Sequence, residues 1–96
     1  MVGGLKVVWV KAGREREFET LFAELRKIMK SAEPGCRLYS LLRSRTDPRS
    51  YIVHEQYDSQ AALDLHEKSD HGAEYFPRIR AVLESITVEY FDGVVE

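Results

Sequence analysis

The chain has 96 residues, a formal net charge of −2 and 44% hydrophobic residues, which predicts one domain over residues 1–96. It shows no strongly basic balance that would indicate a nucleic-acid partner, and no apolar run near the roughly 20 residues that span a membrane. The single cysteine excludes an internal disulfide. Since Met1–Gly4 lacks the pattern of a signal peptide, we expect a cytoplasmic protein.

The first part of the chain passes from a strand pattern to a helix pattern and back. Leu5–Val10 is short, β-branched and aromatic, which predicts a strand. From Arg14 onward, apolar residues recur at spacings of three and four, which predicts an amphipathic helix that Pro34 and Gly35 would end. Cys36–Arg45 predicts a second strand. Its faces are expected to carry Cys36, Leu38, Ser40 and Leu42 on one side, and Arg37, Tyr39, Leu41 and Arg43 on the other.

A turn, a third strand and a short helix come next. Thr46–Ser50 predicts a turn, because Pro48 fixes φ after an aspartate that can bond its own backbone. Tyr51–Tyr57 predicts a strand that forms a hairpin with the preceding one. Asp58 or Ser59 can cap the helix that follows. Its inner stripe is expected to hold Ala61, Ala62, Leu65 and His66.

The last third of the chain predicts a helix break, a further helix and a final strand. Ser69–Gly72 interrupts the helical pattern. The further helix is expected near Glu74–Ser85 with Pro77 in its first turn, where proline is tolerated. Ile86–Phe91 predicts the last strand. The inward residues of the further helix are expected to be Tyr75, Phe76, Ile79, Val82 and Leu83.

The order β-α-β-β-α-β predicts a ferredoxin-like α+β fold, in which one antiparallel sheet carries its helices on a single face. Such a sheet should alternate between apolar and polar residues if its other face met water. These strands are apolar on both sides, so a second copy is the economical cover, and we expect a homodimer whose sheets pack together. The expected faces carry Val8, Val10, Tyr39, Leu41 and Ile52 on one side, and Val7, Trp9, Leu38, Leu42 and Val53 on the other.

Five short motifs occur in order along the chain. They are Glu33-Pro34-Gly35-Cys36 with Tyr39 after it, Asp47-Pro48, the strand Tyr51–Tyr57, Ala61-Ala62-Leu63-Asp64-Leu65-His66, and Ser69-Asp70-His71. Together they resemble the antibiotic biosynthesis monooxygenase family of dimeric α+β barrel proteins, from the first strand through Tyr90. The resemblance implies a pocket between the sheet and the broken helical region.

Members of this family include cofactor-independent oxygenases of phenols and quinols, haem-degrading enzymes and an isomerase of a small phosphorylated sugar. The resemblance therefore implies the fold more narrowly than the reaction. Tyr57 stands where many members carry Trp and where isomerase-type members often carry Tyr. Trp9 and Phe76 occupy the regions in which haem-degrading members carry an Asn and a His, so no haem is expected.

Glu55 and His66 are the candidates for proton transfer. Glu55 shares a strand face with Tyr51, Val53 and Tyr57, and a carboxylate there costs several kcal/mol unless it is paired or protonated. It would act as a general base or orient a substrate hydroxyl; the alternatives are an ion pair with an arginine or a position in water. His66 faces the pocket in the family pattern and would accept a proton near neutral pH, unless it is a hydrogen-bonded packing residue.

The other histidines and the cysteine receive smaller roles. His71 follows the helix break and would either contact an anionic group or cap a helix. His54 points to the strand face opposite Glu55, toward the interface or the surface. His66 and His71 are five residues apart, the wrong offset for one helix face, so no metal site is expected. Cys36 has no evident base partner and predicts a small buried hydrophobe.

Three functions fit these residues. The first is a monooxygenase without a bound cofactor, in which His66 or Glu55 deprotonates a small phenol or quinol that then reacts with O₂. The second is an isomerase or tautomerase of a small carbonyl or sugar-like metabolite. The third is a non-catalytic domain that binds a small aromatic ligand. The expected substrate-binding residues are Trp9, Val53, Tyr57, His71, Tyr75 and Phe76, and Tyr39 would belong to the same aromatic lining.

Overall fold

Four strands and three helices make up the fold, in a computed structural model that describes residues 1–96. Their order is β1 (Val2–Val10), α1 (Glu15–Ala32), β2 (Cys36–Arg43), β3 (Ser50–Tyr57), α2 (Gln60–Glu67), α3 (Asp70–Ala81) and β4 (Leu83–Asp92). The strands form one antiparallel sheet in the order β2-β3-β1-β4. This arrangement confirms the ferredoxin-like α+β fold.

The helices bury one apolar stripe each against a single face of the sheet. The stripe of α1 consists of Phe18, Leu21, Phe22, Leu25 and Met29. The side chain of Ser59 caps α2 by accepting from Ala62 N at 3.2 Å, and Ser69 caps α3 by accepting from Gly72 N at 3.0 Å. None of the three helices is long and apolar enough to cross a membrane.

The first and last strands of the chain are longer than expected. β1 begins at Val2 and β4 at Leu83, whereas strands from Leu5 and Ile86 were predicted. The prediction treated Gly3 and Gly4 as lying outside the strand. A Cβ on Gly4 would lie 2.8 Å from Glu55 Cγ and 3.0 Å from the Tyr90 ring. The strand continues through Gly3 and Gly4 because both pair with β3 and β4, and the close neighbours of Gly4 leave no room for a side chain there.

Three residues, Cys36, Ile52 and Val53, were predicted on the wrong face of their strands. Cys36 pairs with Tyr57, but Leu38 pairs with Gln56, so the register shifts between Cys36 and Leu38. This irregularity turns Cys36 to the helix side of the sheet, away from the face that carries Leu38. Ile52 and Val53 were also exchanged: Val53 is buried on the helix side, and Ile52 pairs with Val7 and Leu42 on the far side.

The second helical region differs from its prediction in which residues of α2 face inward and in the residue at which α3 begins. On α2 the inner residues are Ala62, Leu63 and His66, and Leu65 is 71% exposed. α3 begins at Asp70, since the Ser69 cap starts it, so Pro77 lies inside the helix rather than in its first turn. Of the expected inward set, Tyr75 is buried and Phe76 and Ile79 are partly buried on α3. Val82 follows α3 as its cap, and Leu83 belongs to β4.

The face of the sheet away from the helices is apolar and uncovered, as the strand patterns predicted. We call it the far face; its exposed large residues are Leu5, Val7, Trp9, Leu42 and Phe91, each between 36% and 52% exposed. On the helix side, Val8 and Val10 of β1 are at most 1% exposed. The core therefore lies entirely between the helices and one face of the sheet.

Candidate active site

A cavity of about 340 Å³ opens between the helix side of the sheet and the three helices. Its lining is mostly apolar and includes Val8, Phe22, Val53, Phe76 and Ile86. The polar side chains at its surface are Lys6, Tyr39, His66, Glu67, Arg80 and Tyr90. The volume and the few polar groups are typical of a small-molecule site.

His66 reaches this cavity from the inner stripe of α2. The residue is 1% exposed, and its ring lies among the rings of Tyr39, Tyr57 and Phe76 at centroid distances between 5.1 and 5.4 Å. Its Nδ1 lies 3.0 and 3.1 Å from the two carboxylate oxygens of Glu33. Its Nε2 is buried and has no hydrogen-bond partner in the protein.

This geometry determines which nitrogen carries the proton. An ionised carboxylate only accepts hydrogen bonds, so Nδ1 of His66 is the donor to Glu33. In the neutral ring, Nε2 then holds a free lone pair. A buried acceptor without a partner is costly unless a ligand completes it. The Glu33 carboxylate therefore orients the His66 ring, which lines the cavity and keeps one ring nitrogen free of protein partners.

Glu33 is a site residue that the sequence interpretation missed. It follows the last residue of α1, is 8% exposed, and its carbonyl accepts from Cys36 N in the turn before β2. A carboxylate is unfavourable at a helix C-terminus, where the dipole favours cations. That misfit was the available signal, because the turn motif around Pro34 and Gly35 does not require a glutamate.

His71 contacts the same carboxylate from α3, through its Nε2 and Glu33 Oε2. The spacing argument against a shared site for His66 and His71 is wrong, because the two residues lie on different helices. One donor atom from each of Glu33, His66 and His71 lies within 4.8 Å of the others, a set that could hold a metal ion. The hydrogen bonds among the three satisfy these atoms without one, so the expectation of no metal stays a prediction.

Glu55 lies behind the cavity lining rather than in it. Its carboxylate is fully buried; Tyr57 donates to Oε1 at 3.1 Å, and Lys6 Nζ lies 3.1 Å from Oε2. Burial raises the pKa of the Tyr57 phenol, and the Glu55 charge adds to the effect, so Tyr57 remains a donor. Of these three residues, Lys6 is the one that lines the cavity.

The expected substrate-binding residues divide between the cavity and other places. Val53 and Phe76 line the cavity, whereas Tyr57 lies behind it and His71 lies beside Glu33. Tyr75 is buried in the core and its hydroxyl donates to Glu24 at 3.1 Å.

Trp9 is the clear correction among these predictions. It is 36% exposed on the far face, because β1 places Val8 and Val10 on the helix side and alternate residues opposite. The polar cavity residues that the sequence interpretation missed are Lys6, Glu67, Arg80 and Tyr90.

The chain is similar to a known protein family and to several solved structures. The family model described as antibiotic biosynthesis monooxygenase matches residues 1–78. A Caulobacter crescentus CB15 protein, named as a candidate antibiotic biosynthesis monooxygenase, is 32% identical with a TM-score of 0.92; the match covers 98% of this chain and 90% of that one.

Two further solved structures have the same fold. One, named antibiotic biosynthesis monooxygenase, is 27% identical with a TM-score of 0.88, and the match covers 99% of this chain and all of that one. A conserved protein from Methanosarcina mazei Go1 is 24% identical with a TM-score of 0.88, over 94% of this chain and 89% of that one. No curated protein matches the chain.

Proposed function

Because the chain belongs to the antibiotic biosynthesis monooxygenase family, we propose that it is a monooxygenase of small phenols or quinols that works without a bound cofactor. The observation that carries this proposal is the buried Nε2 of His66. It has no protein partner, it belongs to a ring that lines an apolar cavity, and its ring is oriented by Glu33. Such an arrangement suits a general base for a substrate hydroxyl.

In the proposed reaction, His66 Nε2 takes the proton of a phenolic hydroxyl. The O–H bond breaks, and its electron pair remains on the ligand oxygen. The electron-rich anion then reduces O₂: one oxygen atom bonds to a ring carbon, and the other leaves as water with two hydrogens lost by the substrate. A phenol would leave as a quinone. The apolar lining supports this chemistry, because it keeps water away from the reactive anion.

The second candidate is an isomerase or tautomerase of a small carbonyl or sugar-like metabolite. The same base would move a proton on the substrate without consuming oxygen. Tyr57, which replaces the Trp of many members, favours this candidate. A non-catalytic ligand-binding domain is the third possibility, and it would bind aromatic compounds without turnover.

Oxygen uptake with a panel of quinols and phenols tests the proposal. The wild type should consume one O₂ per product formed, and His66→Ala should lower the rate on the order of a hundredfold or more. Leu65→Ala is the matched control, because Leu65 is exposed next to His66 on α2. Proton exchange or isomerisation without oxygen uptake would favour the second candidate, and binding without turnover would favour the third.

Glu55→Gln tests the earlier assignment of that residue as a base. If Glu55 acts only through Lys6 and Tyr57, the variant should change substrate affinity more than the rate of the chemical step. We also propose that residues 1–96 act as one domain in the cytoplasm, and that the active form is a homodimer joined through the far face.

A further inference from the structure

Lys6 is the one charged residue of β1. It lies on the helix side of the strand, between the core residues Gly4 and Val8, and its side chain is 18% exposed. Lysine is seldom so buried unless it is paired. Lys6 also lines the cavity, so its side chain lies where a ligand would bind.

The ammonium of Lys6 is held from behind by Glu55. Nζ lies 3.1 Å from Glu55 Oε2, yet this contact is an ion pair without a regular hydrogen bond, and Oε2 has no hydrogen-bond donor. No other protein acceptor bonds to the ammonium in residues 1–96. A lysine ammonium has three N–H donors, so Lys6 retains hydrogen-bonding capacity for a molecule in the cavity.

Three neighbouring residues maintain this pair. Tyr57 donates to the other oxygen of Glu55 at 3.1 Å, which fixes the carboxylate. Gly4 leaves the space that Glu55 fills, since a Cβ there would meet Glu55 Cγ at 2.8 Å. The Tyr90 ring bounds the same space, because it would lie 3.0 Å from a Cβ on Gly4.

Stability alone does not account for the pair. Replacing a buried ion pair by apolar residues of similar volume is often neutral or stabilising. A cation at the surface of an apolar cavity has an evident use, however, because it stabilises negative charge on a ligand far better than water-exposed lysine does. The paired carboxylate balances the charge of Lys6 at this point of the cavity.

We propose that Lys6 binds the deprotonated oxygen of the ligand, so that the cavity selects planar hydroxylated compounds that bind as their anions. This inference rests on the proposed function, in which His66 removes the proton. The ligand O–H bond breaks, the N–H bond forms at His66 Nε2, and the electron pair stays on the oxygen beside Lys6. Glu55 lies behind Lys6, and the other charged or titratable groups that line the cavity are Tyr39, Glu67, Arg80 and Tyr90.

The test uses 4-nitrophenol, whose phenolate absorbs visible light and whose neutral form does not. The wild type should bind it as the phenolate, at a pH where the free probe is largely neutral. Lys6→Met should weaken phenolate binding about tenfold or more, and Lys6→Arg should retain most of it. Binding of 4-nitroanisole, which has the same shape without an ionisable hydroxyl, should change little in any variant.

Two results would overturn the inference. One is equal phenolate binding by the wild type and Lys6→Met, and the other is a wild type that binds 4-nitroanisole as well as the phenolate. If Lys6→Met does not fold, the double variant Lys6→Met with Glu55→Met removes the pair without leaving an unpaired charge, and the same loss of phenolate preference is expected.

The test separates this inference from the proposed function. Phenolate binding that depends on Lys6, together with no oxygen uptake by any quinol, would reject the monooxygenase proposal and keep the role of Lys6. If the wild type consumes oxygen and Lys6→Met changes neither this uptake nor phenolate binding, the role of Lys6 is rejected and the monooxygenase proposal is kept.

Discussion

A single carboxylate organises the chemistry at the residue scale. Glu33 accepts from His66 Nδ1 at 3.0 Å and contacts Nε2 of His71. His66 is 1% exposed, whereas the His71 side chain is 12% exposed. Glu33 therefore connects His66 at the cavity with a histidine nearer the solvent. Removing the carboxylate should disturb both histidines at once.

Glu33→Gln should lower the rate of the proposed reaction on the order of a hundredfold, because an amide does not hold the proton on Nδ1 as a carboxylate does. The measurement is oxygen uptake with the best quinol found for the wild type. Glu74→Gln serves as the control, since Glu74 is an exposed carboxylate of α3. An unchanged rate in Glu33→Gln would remove Glu33 from the mechanism.

The Cys36 thiol makes a second prediction about a single residue. Burial, followed by the charge of Glu33, raises its pKa from 9.0 to about 11. The folded protein thus keeps this proton longer than the unfolded chain, so the free energy of unfolding should fall as pH rises from about 9 to about 11. Urea unfolding below pH 9.0 and near pH 11 measures the fall.

Cys36→Ala provides the comparison for this prediction. It should lose less stability than the wild type over the same pH interval, because it has no thiol to titrate. Tyr51 and Tyr90, whose pKa values burial raises to about 12, remain in both proteins and cancel in the difference. Parallel losses in the two proteins would show that the thiol does not contribute.

The break between α2 and α3 matters most at the element scale. Ser69 Oγ accepts from Gly72 N at 3.0 Å and donates to the carbonyl oxygen of His66 at 2.7 Å. The hydroxyl therefore caps α3 and ties its start to the end of α2. Two histidines five residues apart converge on Glu33 because this break changes the direction of the chain between them.

Strand β1 supplies a prediction at the same scale. Gly4→Ala should lower the free energy of unfolding by about 1–3 kcal/mol, because the added methyl overlaps Glu55 Cγ and the Tyr90 ring. Urea denaturation measures the loss. Gly3→Ala is a matched control on the neighbouring residue, where the nearest atom outside the strand lies 3.8 Å away, and it should be neutral or slightly stabilising.

Equal stability of the two alanine variants would mean that the space beside Gly4 is not tightly filled. In that case the Lys6–Glu55 pair would lack the support that the fold gives it. The expected difference therefore also checks the packing on which the role of Lys6 depends.

For the molecule as a whole, the far face is the outstanding feature. Its exposed residues Leu5, Val7 and Trp9 lie on β1, which is located between β3 and β4 in the sheet. Large contiguous apolar patches are uncommon on monomers and mark interaction surfaces. A second copy of the same face would cover it through a two-fold axis.

Sedimentation at micromolar concentration should therefore show a homodimer. Val7→Asp should shift it toward the monomer, because the change places an unpaired charge at the centre of the proposed interface. Val95→Asp is the control, since Val95 is 95% exposed in the tail and off the sheet. A wild type that sediments as a monomer would contradict the proposal.

The sequence by itself determined the order of elements, the fold class and most strand faces. These follow from periods of two and of three to four residues, which are local properties of the chain. The apolar far face and the inward position of His66 were predicted on the same basis. Some errors arose where a local pattern was interrupted: at Gly4, at the irregularity after Cys36, and at the start of α3. Others were errors of phase, in the faces assigned to Ile52 and Val53 and in the inward position assigned to Leu65.

Only the tertiary structure decided what surrounds each polar side chain. Glu33 and His71 are 38 residues apart in the chain and share one contact, and Lys6 and Glu55 meet across neighbouring strands. Such contacts depend on strand register, on the direction of the chain after a helix break and on the space left by a glycine. No periodicity contains these quantities. The sequence therefore predicted the fold and a candidate base, and only the structure showed which groups surround that residue.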